Sequence, residues 1–562
     1  MNSVDEPRAR TRGMRAPVWL IVGVLAVLGS ALIVFGASIV AGPPIGHSHH
    51  FNVGWLGAFA DAWRIDNPYP RWLPLLWDGS GGPAFYFYPP LFFVVSAAPI
   101  ELAGMAPEKG MVVAAVLFHL AASCGTFLLA RSLGLGTVGA VGAAVALVFL
   151  PYHLRLWVDR GAYGELAAYA TLPFLFYGVV EALGRGRGWL VVAAASCATV
   201  LAHILAAALA GLGIFALLWV YRDALAFRRL VALVLAGGLG LLAAALYWVP
   251  ALVLTDTVVG IEALGTQRPS NSYLSWRTLS EDDMLGALYR SALALSAVVL
   301  VSFALMPSPP RLRGFVITAL GATWFMMTPL AGGIYLYTPL DIIQFTWRFL
   351  TVTEIALALG LGAVLQGIAA SFRVARVRAL LLGGAALAGL AIGQPPWWST
   401  DRQDEVAWIL GSHPSPVEWL SYNGRGDFMS YRDFVPYRRL PEPLEGAPLI
   451  AVADEAADLE VLGEAGTEIV FRLEHSAPVD LVFRRGFWAY WQLEPVAGGD
   501  AVPLDATAGY PLIKATLPAG AQTWRLWLRT PMVVWLGLAL SVVGVALIVA
   551  QQARVLRLWH TE

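Results

Sequence analysis

Apolar runs long enough to cross a hydrocarbon layer of about 30 Å alternate with short, arginine-bearing segments along most of the chain. The pattern predicts spanning helices at roughly 17–41, 110–131, 136–151, 167–183, 189–202, 204–221, 230–249, 285–305, 313–330, 350–368, 379–394 and 531–551. Arg8, Arg10, Arg12 and Arg15 precede the first run, and basic residues favour the cytoplasmic side. The remaining groups, Arg131, Arg185/Arg187, Arg222/Arg228/Arg229, Arg311/Arg313, Arg373/Arg376/Arg378 and Arg554/Arg557, fall on that side if about twelve segments cross. Both termini are then cytoplasmic. The first run is too long for a cleavable signal. One further apolar segment, Tyr86–Gly104, reads as re-entrant or interfacial, helped by Pro89, Pro90 and Pro99. As a thirteenth span it would invert Arg131 and everything after it.

From about residue 395 to 530 the texture changes to charged, Pro- and Gly-rich sequence. Ile469–Leu473 and Trp524–Arg529 alternate apolar and polar residues as half-buried strands do, and Pro518-Ala519-Gly520 marks a turn. The expected fold is an α-helical polytopic membrane protein of about 12–13 transmembrane helices with an extracytoplasmic β-rich domain. Its parts are a transmembrane domain over 1–394 with a large first outer loop (42–109), a β-rich domain over 395–530, and a last helix with a short tail over 531–562.

Composition agrees: 58% of the 562 residues are hydrophobic and 13% charged, against about 25% charged in soluble chains. A net charge of −1 gives no pull toward nucleic acid. Cys124 and Cys197 lie in apolar segments without metal spacing, so no disulfide framework is expected.

Polar groups beside lipid are costly and therefore mark candidate sites. Four outer stretches carry them: His47–Arg71; His153–Glu165; His203 with the loop after Trp248; and Asp341–Arg348. Phe51, Trp55, Phe59 and Trp63 recur every fourth residue, one face of a helix, and read as an interfacial helix lying on lipid. His47, His49 and His50 read as interfacial polar groups or as metal ligands. Arg71, Arg155, Arg160 and Arg348 pair with lipid phosphates or gather around one lipid-linked anion, since guanidinium grips phosphate in two places. Glu165 either favours a helix N-terminus or serves as a general base or metal ligand at the pocket mouth.

Several motifs occur in a fixed order: Pro68-Tyr69-Pro70-Arg71-Trp72, the glycine- and aromatic-rich run 79–91, Arg160-Gly-Ala-Tyr-Gly-Glu165 and Gln344-Phe345-Thr346-Trp347-Arg348. Together they resemble bacterial membrane proteins labelled "6-pyruvoyl-tetrahydropterin synthase-related", within the GT-C superfamily of glycosyltransferases. Nothing in the residues suggests pterin chemistry. The resemblance implies a protein of the bacterial inner (plasma) membrane that moves a sugar from a polyprenyl-phosphate carrier to an extracytoplasmic glycan or lipid acceptor. It also implies an acid in the first outer loop and a second in the next, the position of Glu165. The first position departs from the pattern, because His47-Ser48-His49-His50 holds no carboxylate. A histidine does that work, or Asp66 is recruited, or the chain is not a working transferase.

The resulting expectation has Glu165, His49 and Asp66 as catalytic candidates. Arg71, Arg160, Arg348, His153, Gln344 and Tyr69 would contact substrate, and His47, His49 and Glu165 would hold a divalent ion (Mg2+ or Mn2+) if one is used. The rival reading is a non-catalytic scaffold, or a binder or transporter of lipid-linked glycans.

Overall fold

The computed structural model describes residues 16–44, 48–64, 67–258, 268–281, 283–370, 383–384, 386–387, 390, 448–454, 456–507 and 512–559. The expected His47 ligand, Asp66 and most of the span at 379–394 lie outside them.

The helical part begins with α1 (Ala16–Ala41) and α2 (His49–Ala62), followed by α3 (Leu91–Ala103), α4 (Pro107–Ser132) and α5 (Thr137–Val148). A short helix α6 (Pro151–Arg155) runs into a π-helical turn, Leu156–Arg160, ahead of α7 (Tyr163–Arg185). Then come α8 (Trp189–Ala202), α9 (Ile204–Val220), α10 (Phe227–Ala243), α11 (Ala245–Val253), α12 (Met284–Leu305), α13 (Pro310–Met327), α14 (Gly332–Tyr337), α15 (Leu350–Ala370) and α16 (Met532–Trp559).

Among the described residues six helices are long and apolar enough to cross a membrane, and up to nine if each of three bent pairs is one span. The bends, of 42°, 72° and 78°, fall between α5 and α6, between α10 and α11, and between α13 and the turn leading to α14. Helices α3, α8 and α9 are apolar but shorter. The chain is a multi-pass membrane protein.

Burial sorts the helices. Helices α7 and α15 are apolar on every face and almost wholly buried, the signature of a bundle centre. Helices α1 and α16 leave Leu25, Ile33, Val542 and Val549 exposed, as a lipid-facing rim does. At the centre α5 and α15 touch backbone to backbone: a Cβ on Gly362 would stand 2.4 Å from the Gly139 carbonyl oxygen. Small residues permit this approach between membrane helices.

Three of the four stripe positions along α2 are core, not a lipid-facing surface. Trp55, Phe59 and Trp63 are buried, with Trp55 and Phe59 edge-on or tilted against Phe85 at 5.9 and 4.6 Å. The aromatic run after Gly82 folds back over the helix and covers the face that would have met lipid.

The β domain near the C-terminus is a sandwich of two antiparallel four-stranded sheets, built from β1 (Ile450–Val452), β2 (Asp458–Ala465), β3 (Glu468–His475), β4 (Val479–Gly486), β5 (Trp491–Pro495), β6 (Asp505–Ala506), β7 (Leu512–Leu517) and β8 (Gly520–Leu528). The orders are β1-β4-β7-β6 and β2-β3-β8-β5. Ile469, Phe471 and Leu473 alternate inward on β3, the two-residue period of a sheet with one buried face, and Phe471 meets Phe483 of the opposite sheet at 5.6 Å.

The sandwich is fastened to the segment between α2 and α3. Trp488 stacks on Trp72 at 6.0 Å, and Tyr86 lies edge-on to Trp488. The Gly486 amide donates to the Ser80 carbonyl, and Arg485 donates to the Gly79 carbonyl at 3.0 Å. The glycine-rich motif at 79–91 is thus a structural junction between membrane part and sandwich.

Candidate functional site

Glu165 sits in the first turn of α7, and Arg160 ends the π-helical turn just before it. Gly161 makes the reversal between them with φ +62°, a left-handed backbone that a Cβ disfavours. It also needs the space, since a Cβ there would lie 2.7 Å from the His49 amide nitrogen. The N-terminus of α2 docks on this turn: the Ser48 amide donates to the Arg160 carbonyl at 3.0 Å, and Asn52 Nδ2 to the Gly161 carbonyl at 2.8 Å.

Arg348 comes from 183 positions further along the chain than Glu165, on a 3₁₀ turn (Thr346–Phe349) that leads into α15. Thr346 pins that turn by donating from its amide to Ser272 Oγ at 2.8 Å, and Tyr289 donates to the Ser272 carbonyl beside it. Tyr152 comes from α6, whose N-terminus is capped by Glu354 of α15. The Glu354 carboxylate accepts the Tyr152 and His153 amides at 2.7 and 3.0 Å and the Tyr169 hydroxyl at 2.9 Å. A buried carboxylate at free helix N–H groups is well matched in charge.

These elements meet on one carboxylate. Arg160 NH1 donates to Glu165 Oε2 at 2.9 Å, Tyr152 donates to the same oxygen at 2.5 Å, and Arg348 Nε donates to Oε1 at 3.0 Å. A longer Arg160 contact to Oε1, at 3.4 Å, completes four donors. An ionised carboxylate has about four lone-pair sites, so Glu165 is saturated. The three side chains are 15%, 11% and 6% exposed for Arg160, Arg348 and Glu165, and the cluster carries one surplus positive charge.

Donors remain. Arg348 spends Nε on Glu165 and NH1 on the Ile343 carbonyl and Gln344 Oε1, which leaves NH2 without a partner among the described residues. Arg160 Nε likewise has no partner among the described residues. Phe345 and Trp347 stack at 4.3 Å, with Arg348 over the first ring and Arg160 5.9 Å from the second. His203, between α8 and α9, accepts the Ala206 amide through Nδ1, so its neutral ring presents Nε2–H as a donor. It lies within the field of Glu165, Arg348 and Arg160.

The other expected residues are placed differently. His49 is buried with both nitrogens engaged: Nε2 donates to the Trp157 carbonyl at 2.5 Å, which leaves Nδ1 to accept from the Tyr163 hydroxyl. The His153 ring packs on Tyr169 and lies 5.7 Å from the His119 ring inside the bundle. Arg71 lies over the Tyr69 ring at 4.2 Å and donates to the Leu246 carbonyl, while Tyr69 donates to the Phe85 carbonyl. Burial pushes the Tyr69 hydroxyl well up and that of Tyr86 to about 12, with Arg71 pulling both back. Both stay neutral donors.

A divalent cation does not fit the described donors. No group of three His, Cys, Asp or Glu gathers among the described residues. Glu165 is already neutralised by two guanidiniums, and His49 has no spare lone pair. Sequence reasoning missed Tyr152, whose place between Pro151 and His153 carries no motif, and the capping role of Glu354.

No family model matches the chain, and no curated protein matches it. Among solved structures it is similar to the mycobacterial arabinofuranosyltransferase AftD, with 17% identity and a TM-score of 0.44, covering 70% of this chain and 30% of that one. It is similar also to the Archaeoglobus fulgidus oligosaccharyltransferase, at 14% identity and TM-score 0.42, covering 72% of this chain and 59% of that one. ArnT from Cupriavidus metallidurans gives 14% identity and TM-score 0.30 over 63% and 77% of the two chains. The chain thus spans less than a third of AftD and about three fifths of the oligosaccharyltransferase. These neighbours are GT-C glycosyltransferases, the superfamily that the sequence motifs resemble.

Proposed function

We propose that the Arg160–Glu165–Arg348 cluster holds the phosphate of a polyprenyl-phosphate sugar while the sugar passes to an extracytoplasmic glycan or lipid acceptor. The observation that carries this reading is the pair of guanidiniums fixed by one buried carboxylate with N–H groups left over. Their single surplus charge matches a phosphodiester, which bears one negative charge. Guanidinium donors in a fixed geometry suit phosphate.

In the transfer, an acceptor oxygen attacks the anomeric carbon from the face opposite the carrier, and the carbon–oxygen bond to phosphate breaks. The electron pair leaves with the phosphate, where Arg160, Arg348 and the His203 N–H meet the growing charge. Preorganised donors of this kind lower the barrier without reorganising. Glu165, with its lone pairs occupied, orients the arginines; Asp66 is our candidate to take the acceptor proton.

One observation favours a second reading, the binding of a lipid-linked glycan without turnover: His49 and Glu165, two of the three expected bases, have no free lone pair. Turnover of labelled polyprenyl-phosphate sugars by purified wild type, Arg348→Ala and Asp66→Asn separates the two. Sugar transfer lost in both variants supports the transferase. Carrier binding without transfer in wild type, weakened in Arg348→Ala alone, supports the binder. Wild-type carrier binding in Arg348→Ala would sink both.

A further inference from the structure

The residue just ahead of the arginine-bearing turn has an unusual backbone. Gln344 adopts φ +61° and ψ −45°, the one non-glycine residue with positive φ among those described. The Phe345 amide donates back to the Ile343 carbonyl at 2.6 Å, closing a three-residue γ-turn of the rare, strained hand. Glycine would form this turn at lower cost, yet the chain carries a side chain here. Strained backbone persists where surrounding structure enforces it, and it gathers at binding sites.

The strain has a local product. The turn swings the Ile343 carbonyl round to Arg348, which donates to it through NH1 at 2.5 Å. The Gln344 side chain adds a second acceptor, Oε1, at 3.0 Å from the same NH1. With Nε on Glu165, two of the three guanidinium nitrogens are fixed. The group is planar, so the direction of NH2 is then fixed as well.

We infer that Gln344 is a positioning residue: its γ-turn and its amide oxygen together aim the free NH2 edge of Arg348 at the phosphate of the carrier. The inference rests on the arginine–phosphate reading above. It gives Gln344 a part that does not require contact with substrate. Losing the amide removes one of the two acceptors that hold NH1 and loosens the setting of the guanidinium plane. Losing the side chain and the strain together, as glycine would, keeps the turn and loosens its hold.

The test compares binding of a polyprenyl monophosphate with that of the matching polyprenol, in lipid nanodiscs. Wild type, Gln344→Met, Gln344→Gly and Arg348→Ala are measured together with their melting midpoints. Methionine keeps the length without the amide acceptor, so preference for phosphate over alcohol falls about tenfold, the worth of one hydrogen bond to a charged group. Polyprenol binding and the melting midpoint stay near wild type. Glycine raises the melting midpoint by relieving the backbone and still lowers the preference. Wild-type preference in both Gln344 variants, with the preference lost in Arg348→Ala, overturns the positioning role alone. Wild-type preference in Arg348→Ala overturns the phosphate reading itself, and this inference with it.

Discussion

Arg348 donates through Nε to Oε1 of Glu165 at 3.0 Å, across 183 positions of sequence. This bond joins the turn before α15 to the first turn of α7, the two most buried helices of the bundle. Glu165 therefore acts on fold and site at once. Removing one partner of a buried ion pair leaves the others uncompensated and costs about 3–5 kcal/mol. Glu165→Gln should lose stability on that scale, seen as a lowered melting midpoint in detergent. Glu165→Asp, which keeps the charge, should lose clearly less. Equal losses in the two would mean that packing, not charge, is what Glu165 contributes.

Gly161 offers a sharper probe of geometry. Alanine at φ +62° costs about 1–2 kcal/mol in backbone alone, and its Cβ would press on the His49 amide at 2.7 Å. The Ser48 amide contact with the Arg160 carbonyl should open as α2 is pushed off. We expect Gly161→Ala to destabilise by about 2 kcal/mol or more and to speed hydrogen exchange at Ser48 and Asn52. Wild-type exchange at those amides would show that α2 does not rest on this turn.

How much of this was legible in the sequence follows from which forces act locally. The long spans were legible because bilayer thickness imposes a run length: the expected 17–41, 285–305 and 350–368 meet Ala16–Ala41, Met284–Leu305 and Leu350–Ala370, whereas the expected 136–151, 230–249 and 313–330 meet bent pairs and 189–202 and 204–221 meet shorter helices. The strands at 469–473 and 524–529 were legible from their two-residue alternation. Arg160, Glu165 and Arg348 could be grouped by sidedness, since the expected topology puts all three on one side of the membrane. Their bonding could not, because a carboxylate facing two arginines and one facing a substrate have the same sequence. The stripe on α2 misled for a related reason. An aromatic face wants an apolar partner, and the pattern does not say whether that partner is lipid or the Phe85–Phe93 run that covers it. The γ-turn at Gln344 had no signal, since positive φ is normally announced by glycine or asparagine.

The junction between sandwich and membrane part should depend on Trp488. Its ring is 1% exposed, stacks on Trp72 and donates from Nε1 to Thr257 Oγ1 at 3.1 Å. Truncating a buried tryptophan to alanine costs about 3–5 kcal/mol. The loss in Trp488→Ala should be local: the Gly486 amide, bonded to the Ser80 carbonyl, should exchange faster while amides in α7 and α15 keep their protection. Slow exchange at Gly486 in the variant would place the fastening elsewhere, with Arg485 and its bond to the Gly79 carbonyl as the alternative.

Electrostatics disfavours a divalent ion at Glu165. Two guanidiniums surround one carboxylate, so the local charge is +1 before any ligand arrives. A dication would have to displace Arg160 or Arg348 from a site where opposite charges attract more strongly than in water. It would find no imidazole lone pair at His49, whose Nδ1 already accepts from Tyr163. Chelators should therefore leave polyprenyl-phosphate binding unchanged, and added Mn2+ should give no bound-ion resonance signal that depends on Glu165. Glu165→Gln is the control, because it removes the only carboxylate in the cluster. A manganese signal present in wild type and absent from that variant would mean that one arginine swings away when the ion binds, and that the arginine-clamped arrangement is a resting state.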